Sequence, residues 1–421
     1  MSSTSAPRTV KPFFRVLSPE EARRALQQFP VLDSETIPVA EAASRVLASD
    51  LVAAEDMPRF HRSNMDGYAV RAKDTFGASA SQPGYLRLAG SIEMGEEATR
   101  ALERGEAMRI GTGGMLPPAA NAVVMVEYCE ELVDGTVEIQ RGSAPWENVL
   151  RIGEDIHSGD PVFSAGRKLR AQDLGALCGV GITQVSVICR PRAALISTGD
   201  EIVSPEEIPR PGQIRNVNQY SLRAMIAEVG GTVLDLGVVH DRREELRTAL
   251  DQALERADLV FLSGGSSVGT KDMALEVIAS FPESEVIFHG ISYAPGKPTI
   301  LARALGRPIM GLPGHPVSAL VTFRLFGAPL LRLLGGEKPE NAFAHDRRKR
   351  ATLIRNVPSE PGREDYVRVT LETDASGRCL ARPVPGKSGA IFSLVRADGM
   401  VRIPLEAEGL EAGEEVDVLL F

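Results

Sequence analysis

Three loops of this 421-residue chain that each leave an apolar run carry acidic residues: Asp200-Glu201 in STGDE, Asp241 in VVHD and Asp272 in VGTKD. Short apolar runs of this kind read as buried strands. If those strands share one parallel sheet, all three loops leave at its carboxyl edge, where open α/β sheets bind ligands. Gathering carboxylates there is unfavourable, since two unit charges ~5 Å apart at an effective dielectric of about 20 repel by roughly 3 kcal/mol. A divalent cation, Mg²⁺ above all, with oxygen ligands and a phosphate substrate offsets that repulsion. Each residue also has a plainer use. Asp241 is a competent N-cap, Asp272 could cap the helix after it, and Asp200 or Glu201 could be turn residues.

The stretch Asp258 to Asp272, DLVFLSGGSSVGTKD, supplies a second kind of chemistry. Leu259 to Leu262 reads as a buried strand. The chain then breaks into a Gly/Ser loop, and a helix is expected from about Asp272. Glycines let backbone approach a phosphate, and free N–H groups at a helix start favour negative charge. Ser263, Gly264, Gly265 and Ser266 are therefore candidate phosphate contacts. Lys297 in PGKP and the loop Pro313-Gly314-His315-Pro316 before a helix extend the same edge. Familiar motifs do not fit. Five residues separate Gly290 from Gly296-Lys297 where a P-loop has four, and Pro298 follows where Ser or Thr should. No GxGxxG opens the α/β region, HExxH is absent, and no nucleophile elbow supports a Ser-His-Asp hydrolase.

The elements that must hold these loops fall into four stretches. Ser18-Pro19-Glu20-Glu21 is a capping box with Pro at the first helical position. A second short helix is expected over Val39–Ala48. Residues 16–56 join 151–190, a strand, a helix from Gln172 to Cys178 and a return strand Val185–Cys189, as a helical/β linker and association domain. Residues 57–150 read as a β-rich module with strands Tyr85–Leu88, Met108–Ile110, Val123–Tyr128 and Val137–Gln140. Asp134-Gly135 makes its last hairpin, and Gly111 to Gly114 is another Gly-rich loop. Residues 191–335 alternate strands with helices at Asn218–Val229, Asp241–Arg256 (Asp241 and Glu244 as capping box), Asp272–Ser280 and from Val317 onward. That alternation implies a parallel sheet covered on both faces. Residues 336–421 return to short strands, one of them Ala390–Leu394, as a barrel or open sheet. The fold class is multidomain α/β plus β.

Bulk properties narrow the function. The net charge of −9, from 47 basic and 56 acidic residues, argues against a nucleic-acid surface. The basic run Arg347 to Arg350 reads as a solvated linker or strand edge. Four cysteines show no paired metal spacing, as expected for idle thiols in a reducing compartment. The start lacks the apolar core of a secretion signal. The apolar stretch His315 to Gly335 is interrupted by Arg324 and Arg332, so no membrane span is expected. A cytoplasmic protein without membrane or nucleic-acid partners follows.

Seven motifs in one order, NMDGYAVR (64–71), RIGTGG (109–114), GED (153–155), STGDEI (197–202), SGGSSVG (263–269), PGKP (295–298) and LPGHPVSA (312–319), make the chain resemble the MoeA family of molybdopterin molybdotransferases, which includes the gephyrin E domain. The resemblance runs from about residue 15 to 421. It implies an elongated homodimer of four-domain subunits with a molybdopterin-binding α/β domain and a C-terminal β-barrel-like domain. It implies a transferase of molybdenum cofactor biosynthesis that takes adenylylated molybdopterin and molybdate and releases AMP with Mg²⁺. It also implies the molybdopterin adenylyltransferase as a partner.

Carried over position by position, the resemblance gives Asp66 and Thr112 as residues supplied across the dimer. Asp155, Glu201, Asp241 and Asp272 form the acidic set, with Asp241 and Asp272 also in catalysis. Lys297, Pro313 and Pro316 are pterin-phosphate and loop residues, and Arg363, Arg368 and Ser388 stand near the family's C-terminal Arg and Ser. Three positions depart from the family pattern. Ala294 replaces a Lys, His315 an Asn, and Ala390 a Ser for which Ser388 and Ser393 are nearby substitutes. Two rivals stand beside the transferase: a non-catalytic pterin-binding or scaffolding paralogue, and a nucleotide hydrolase sharing only the α/β domain. Molybdate and tungstate are not separated at this level.

Overall fold

The computed structural model describes residues 15–264, 268–344 and 347–421, the side chains of 268–272 excepted. Two compact units make up the chain. One comprises Thr36–Ala43 and Ser49–Val185, and the other comprises the chain up to Glu35, Ser44–Ala48 and Ser186–Phe421.

The smaller unit is built on a six-stranded sheet. Its strands are β1 (Gly67–Val70), β2 (Gly84–Ile92), β3 (Glu106–Ile110), β4 (Ala122–Met125), β5 (Cys129–Glu131) and β6 (Thr136–Ile139), in the order β4-β1-β3-β2-β6-β5. Only β2 and β3 pair in parallel. Alternate side chains serve two cores. Tyr68 and Val70 pack with Leu86, Val124 and Val137 on one face, while Ala69 packs with Met108, Ile110 and Val123 on the other. Both faces being covered, β1 needs an unbroken apolar run, and GYAV supplies it. Gly135 at φ 83° closes the β5–β6 hairpin as expected. The strand expected over Val123–Tyr128 ends at Met125, and Val126–Tyr128 is a 3₁₀ turn. Outside the sheet, the helix Ala171–Gly179 is fixed by the buried Asp173, which accepts hydrogen bonds from the guanidinium groups of Arg167 and Arg170.

The larger unit holds the expected α/β sheet. Its strands are β7 (Arg192–Thr198), β8 (Thr232–Val239), β9 (Leu259–Gly264), β10 (Glu285–His289), β11 (Ile300–Ala304) and β12 (Arg307–Leu312), in the order β8-β7-β9-β12-β11-β10. β8, β7, β9 and β12 are parallel, but β11 runs against both neighbours, so the sheet is mixed where a parallel one was expected. The cause is local. Leu305 and Gly306, both at positive φ (49° and 76°), form a two-residue hairpin turn, which can join only antiparallel strands. Leu259 and Phe261 face a core shared with helices Asn218–Glu228 and Pro316–Leu334; Val260 and Leu262 face one shared with helices Arg243–Arg256 and Val268–Ala279. Cover on both faces explains why the strand sequences are continuous apolar runs. The helix Pro316–Leu334 carries a π-turn at Phe323–Gly327. It is long and apolar enough to cross a membrane by length and composition, but 89% of that window is buried inside the protein, as befits a core helix.

A closed five-stranded barrel follows, made of β13 (Arg348–Leu353), β14 (Glu364–Thr373), β15 (Cys379–Pro383), β16 (Gly399–Ile403) and β17 (Glu415–Leu420). Its interior is filled by Leu353, Val369, Ala381, Val401 and Val418.

Four local expectations are corrected. Val39–Ala48 is not a helix. Only Val39–Glu41 forms a 3₁₀ turn, and Ser44 sits at φ 63°. Leu47 bridges to Val187, and the Ala48 N–H donates to the Ser186 carbonyl, so strand-like pairing overrides a helix-favouring composition. The strand expected over Ala390–Leu394 is a turn leading into the short helix Phe392–Val395, with the Ser393 hydroxyl donating to the Ala390 carbonyl. Asp241 is not a cap: the helix starts at Arg243 with Arg242 before it, and no side chain caps it. Asp272 is no cap either, because its helix begins four residues earlier at Val268.

Candidate functional site

The carboxyl edge of the α/β sheet gathers the acidic loops. β7 ends at Thr198, and Gly199 at φ 145° turns the chain so that Asp200 reaches the loop after β8. The Asp200 carboxylate lies 3.1 Å from His240 Nδ1 and accepts the Asp241 N–H at 3.2 Å. Glu201 folds back over Gly199, where an added Cβ would fall 2.6 Å from its carboxylate. Burial, followed by the charges of Asp200 and Glu201, raises the Asp241 carboxyl above the usual aspartate range, with His240 opposing. Its Oδ1 is buried without a hydrogen-bond partner. An ionised carboxylate in that setting calls for a cation. Among the described residues no three His, Cys, Asp or Glu side chains form a ready-made metal cage. Sequence reasoning put weight on Glu201, whereas the structure brings Asp200 and His240 into the centre of the cluster. The acidic STGDE loop was the signal for Asp200, but His240 had none beyond adjacency to Asp241.

The Gly-rich loop begins where β9 passes closest to β7. Gly264 sits at φ 133°, and a Cβ there would lie 2.0 Å from the Thr198 carbonyl oxygen, so only glycine fits. Ser263 is buried, and its hydroxyl accepts from Asn218 Nδ2 at 2.9 Å. Asn218 Nδ2 also donates to the Gly314 carbonyl at 2.9 Å. One amide therefore ties the end of β9 to the Pro313–Pro316 loop, and its Oδ1 stays buried and unpartnered. Asn218 was missed from sequence because it reads as an ordinary helix-start residue. Gly265, Ser266 and the side chain of Asp272 lie outside the described residues.

Two further loops border this edge. Pro313 is buried, and Pro316 occupies the first turn of the core helix. His315 Nδ1 lies 2.8 Å from the Ser388 hydroxyl, and the Val317 N–H donates to the Ser388 carbonyl. Two positions singled out as departures or substitutes thus meet, while Ser393 is buried and bonded to Ala390. Lys297 is exposed; its carbonyl accepts from the Ile291 and Thr299 N–H groups, and its side chain has no hydrogen bond or ion pair among the described residues. Its loop is held from below. The buried Tyr293 hydroxyl bonds to Thr322 and, at 3.1 Å, to Thr299, whose Oγ1 donates to the Gly296 carbonyl at 2.7 Å. Of the two barrel arginines, Arg363 is tied to Asp365 and Glu360. Arg368 is buried with its Nε unpartnered, Nη2 donating to the Gly386 carbonyl, and desolvation lowers its pKa.

The second cluster belongs to the smaller unit. Asp66 Oδ1 accepts both the N–H (2.6 Å) and the hydroxyl (2.8 Å) of Thr112, and these bonds hold its carboxyl below the usual range. The pair is positioned by its backbone. The Asp66 carbonyl accepts from Val126, and Gly113 at φ 88° donates to the Ser63 carbonyl. Asp66 is thus an exposed, permanently ionised acceptor at neutral pH. Asp155 is exposed in the turn after β4–β6 of the same unit, its N–H donating to the Met57 carbonyl.

Comparison with known proteins places the chain's three regions in one family. Residues 17–181 match the MoeA N-terminal region (domain I and II), 194–333 the family described as "Probable molybdopterin binding domain", and 350–421 the MoeA C-terminal region (domain IV). The chain is 34% identical to molybdopterin molybdenumtransferase 2 of Mycobacterium tuberculosis over 91% of this chain and 94% of that one. It is 32% identical to the molybdopterin molybdenumtransferase of Haemophilus influenzae over 96% and 99%. The crystal structure of a MoeA protein from Pyrococcus horikoshii superposes with a TM-score of 0.80 at 39% identity, covering 96% of this chain and 99% of that one. With all three regions matched in order and relatives above 30% identity along nearly its full length, the chain belongs to the MoeA family.

Proposed function

We propose that the protein is a molybdopterin molybdotransferase, inserting molybdenum from molybdate into adenylylated molybdopterin with release of AMP. The observation that carries this reading is the buried, unpartnered Asp241 carboxylate oxygen beside Asp200 and Glu201, at the carboxyl edge of the α/β sheet. Asp241 and Asp200, with Asp272, would hold Mg²⁺, which when bound neutralises charge developing on phosphoanhydride oxygens. The chain's own groups do the positioning. Lys297, its side chain exposed, offers the phosphates a cation. Asn218 keeps the β9 end and the 313–316 loop in register. Asp66, kept ionised by Thr112, acts near the reacting end of the substrate, and a homodimer would supply it from one subunit to the α/β edge of the other. No single general base is required, because charge neutralisation and orientation carry most of the effect in phosphoryl chemistry.

The test is turnover of adenylylated molybdopterin by the full-length protein with Mg²⁺ and either molybdate or tungstate. AMP and metal-loaded pterin appear together if the reading holds. AMP without metal insertion makes the protein a nucleotide hydrolase. Tight binding with no AMP makes it a scaffold.

A further inference from the structure

The smaller unit contains an open cleft of about 930 Å³ that the proposed chemistry leaves unused. One part of its lining is aromatic. His61 and Trp146 meet at 4.8 Å between ring centroids, and Phe60 and Phe76 are partly exposed nearby. Another part is basic, with Arg59, Arg71 and Lys73, and no carboxylate lines the cleft among the described residues. Glu55 and Asp74 engage Arg59 and Arg71 at 3.3 and 3.6 Å without lining the cleft, and Lys73 has no partner among the described residues.

The cleft is also built rather than incidental. Trp146 sits at φ 68°, a conformation that a bulky side chain seldom adopts. The turn around it is over-determined. Its N–H donates to the Asn121 carbonyl, and the Glu147 carboxylate accepts from the Ser143 hydroxyl at 3.1 Å and the Ala144 N–H at 2.8 Å. Ala119, also in the lining, is likewise at positive φ, 74°. Strain held this firmly at a cavity wall marks function more often than chance does. The Ile152 N–H donates to His61 Nδ1, which keeps that ring oriented against the indole.

We propose that this cleft binds a nucleoside monophosphate, its base stacked against Trp146 and His61 and its phosphate held by Lys73 and Arg71. Aromatic faces accept any base, cations accept the phosphate, and the volume lies within the range of small-molecule pockets. The proposal does not depend on the transferase reading, since every residue it uses lies in the smaller unit.

Trp146 is the chain's one tryptophan, so indole emission reports on this cleft alone. The full-length protein is titrated with AMP, adenosine and inorganic phosphate. AMP should change the emission saturably, with adenosine and phosphate each about tenfold weaker or more. Lys73→Ala should weaken AMP about tenfold and His61→Ala should weaken AMP and adenosine alike, whereas Asp241→Asn should respond as wild type. No saturable change at millimolar AMP overturns the proposal and leaves the cleft as a protein-docking surface. An unchanged response in Lys73→Ala, or a response lost in Asp241→Asn, overturns it as well.

Discussion

Asp241 and Asp66 are opposite solutions to keeping a carboxylate in place. Asp66 is stabilised as an anion by two bonds from Thr112, while Asp241 is destabilised as an anion by burial and by Asp200 and Glu201. Asp241→Asn should therefore stabilise the metal-free protein slightly, abolish the thermal shift produced by Mg²⁺, and lower kcat by about 100-fold or more. Thermal melts with and without Mg²⁺, beside turnover, check this. The pH dependence has opposite signs at the two residues. Asp66, with a lowered folded pKa, contributes stability above its unfolded value near 3.8 that is lost as pH falls through the folded pKa. Asp241, with a raised folded pKa, contributes stability below 3.8 that is lost as pH rises through its folded pKa. Melts across this acidic window should show the Asp66→Asn deficit shrinking as pH falls, and the Asp241→Asn gain shrinking likewise.

At the scale of elements, what positions the chemistry is close packing of strand ends. Gly264 is one such point, its missing Cβ standing 2.0 Å from the Thr198 carbonyl. Gly264→Ala should destabilise the protein by about 3 kcal/mol or more, or displace the loop and raise KM for the adenylylated substrate. Denaturant unfolding together with steady-state kinetics separates the two. Strand–loop–helix order in 191–335 was legible because buried strands announce themselves as apolar runs, and the Ser18 capping box because its two reciprocal bonds need only local residues. The reversal of β11 was not read, although Leu305-Gly306 is two residues long, because strand direction depends on the conformation of that turn. Val39–Ala48 and Ala390–Leu394 failed for a related reason. Their backbone bonds go to partners, Ser186 in one case and a local serine turn in the other, that propensity does not see.

At the scale of the molecule, the two clusters sit in different compact units: Asp66 with Thr112 in one, Asp200 with Asp241 in the other. The motifs themselves were readable in sequence, but the Asn218 tie and the His315–Ser388 contact link residues 45 or more positions apart and emerge only from packing. If a homodimer completes the site from both subunits, inactive Asp66→Ala and inactive Asp241→Asn proteins should complement each other when their subunits exchange. Random exchange makes half the dimers mixed, each with one intact site of two, so activity should return to about a quarter of wild type. Sedimentation of the mixture beside turnover checks both halves of that statement, and a monomer at micromolar concentration would contradict it.

The coupling of metal insertion to AMP release is most directly tested by a single turnover of adenylylated molybdopterin with Mg²⁺ and molybdate, counting AMP released and molybdenum bound to pterin in the same sample. The account predicts equal amounts of the two, rising together and lost together in Asp241→Asn. AMP released with no molybdenum bound, or full coupling retained in Asp241→Asn, would contradict it.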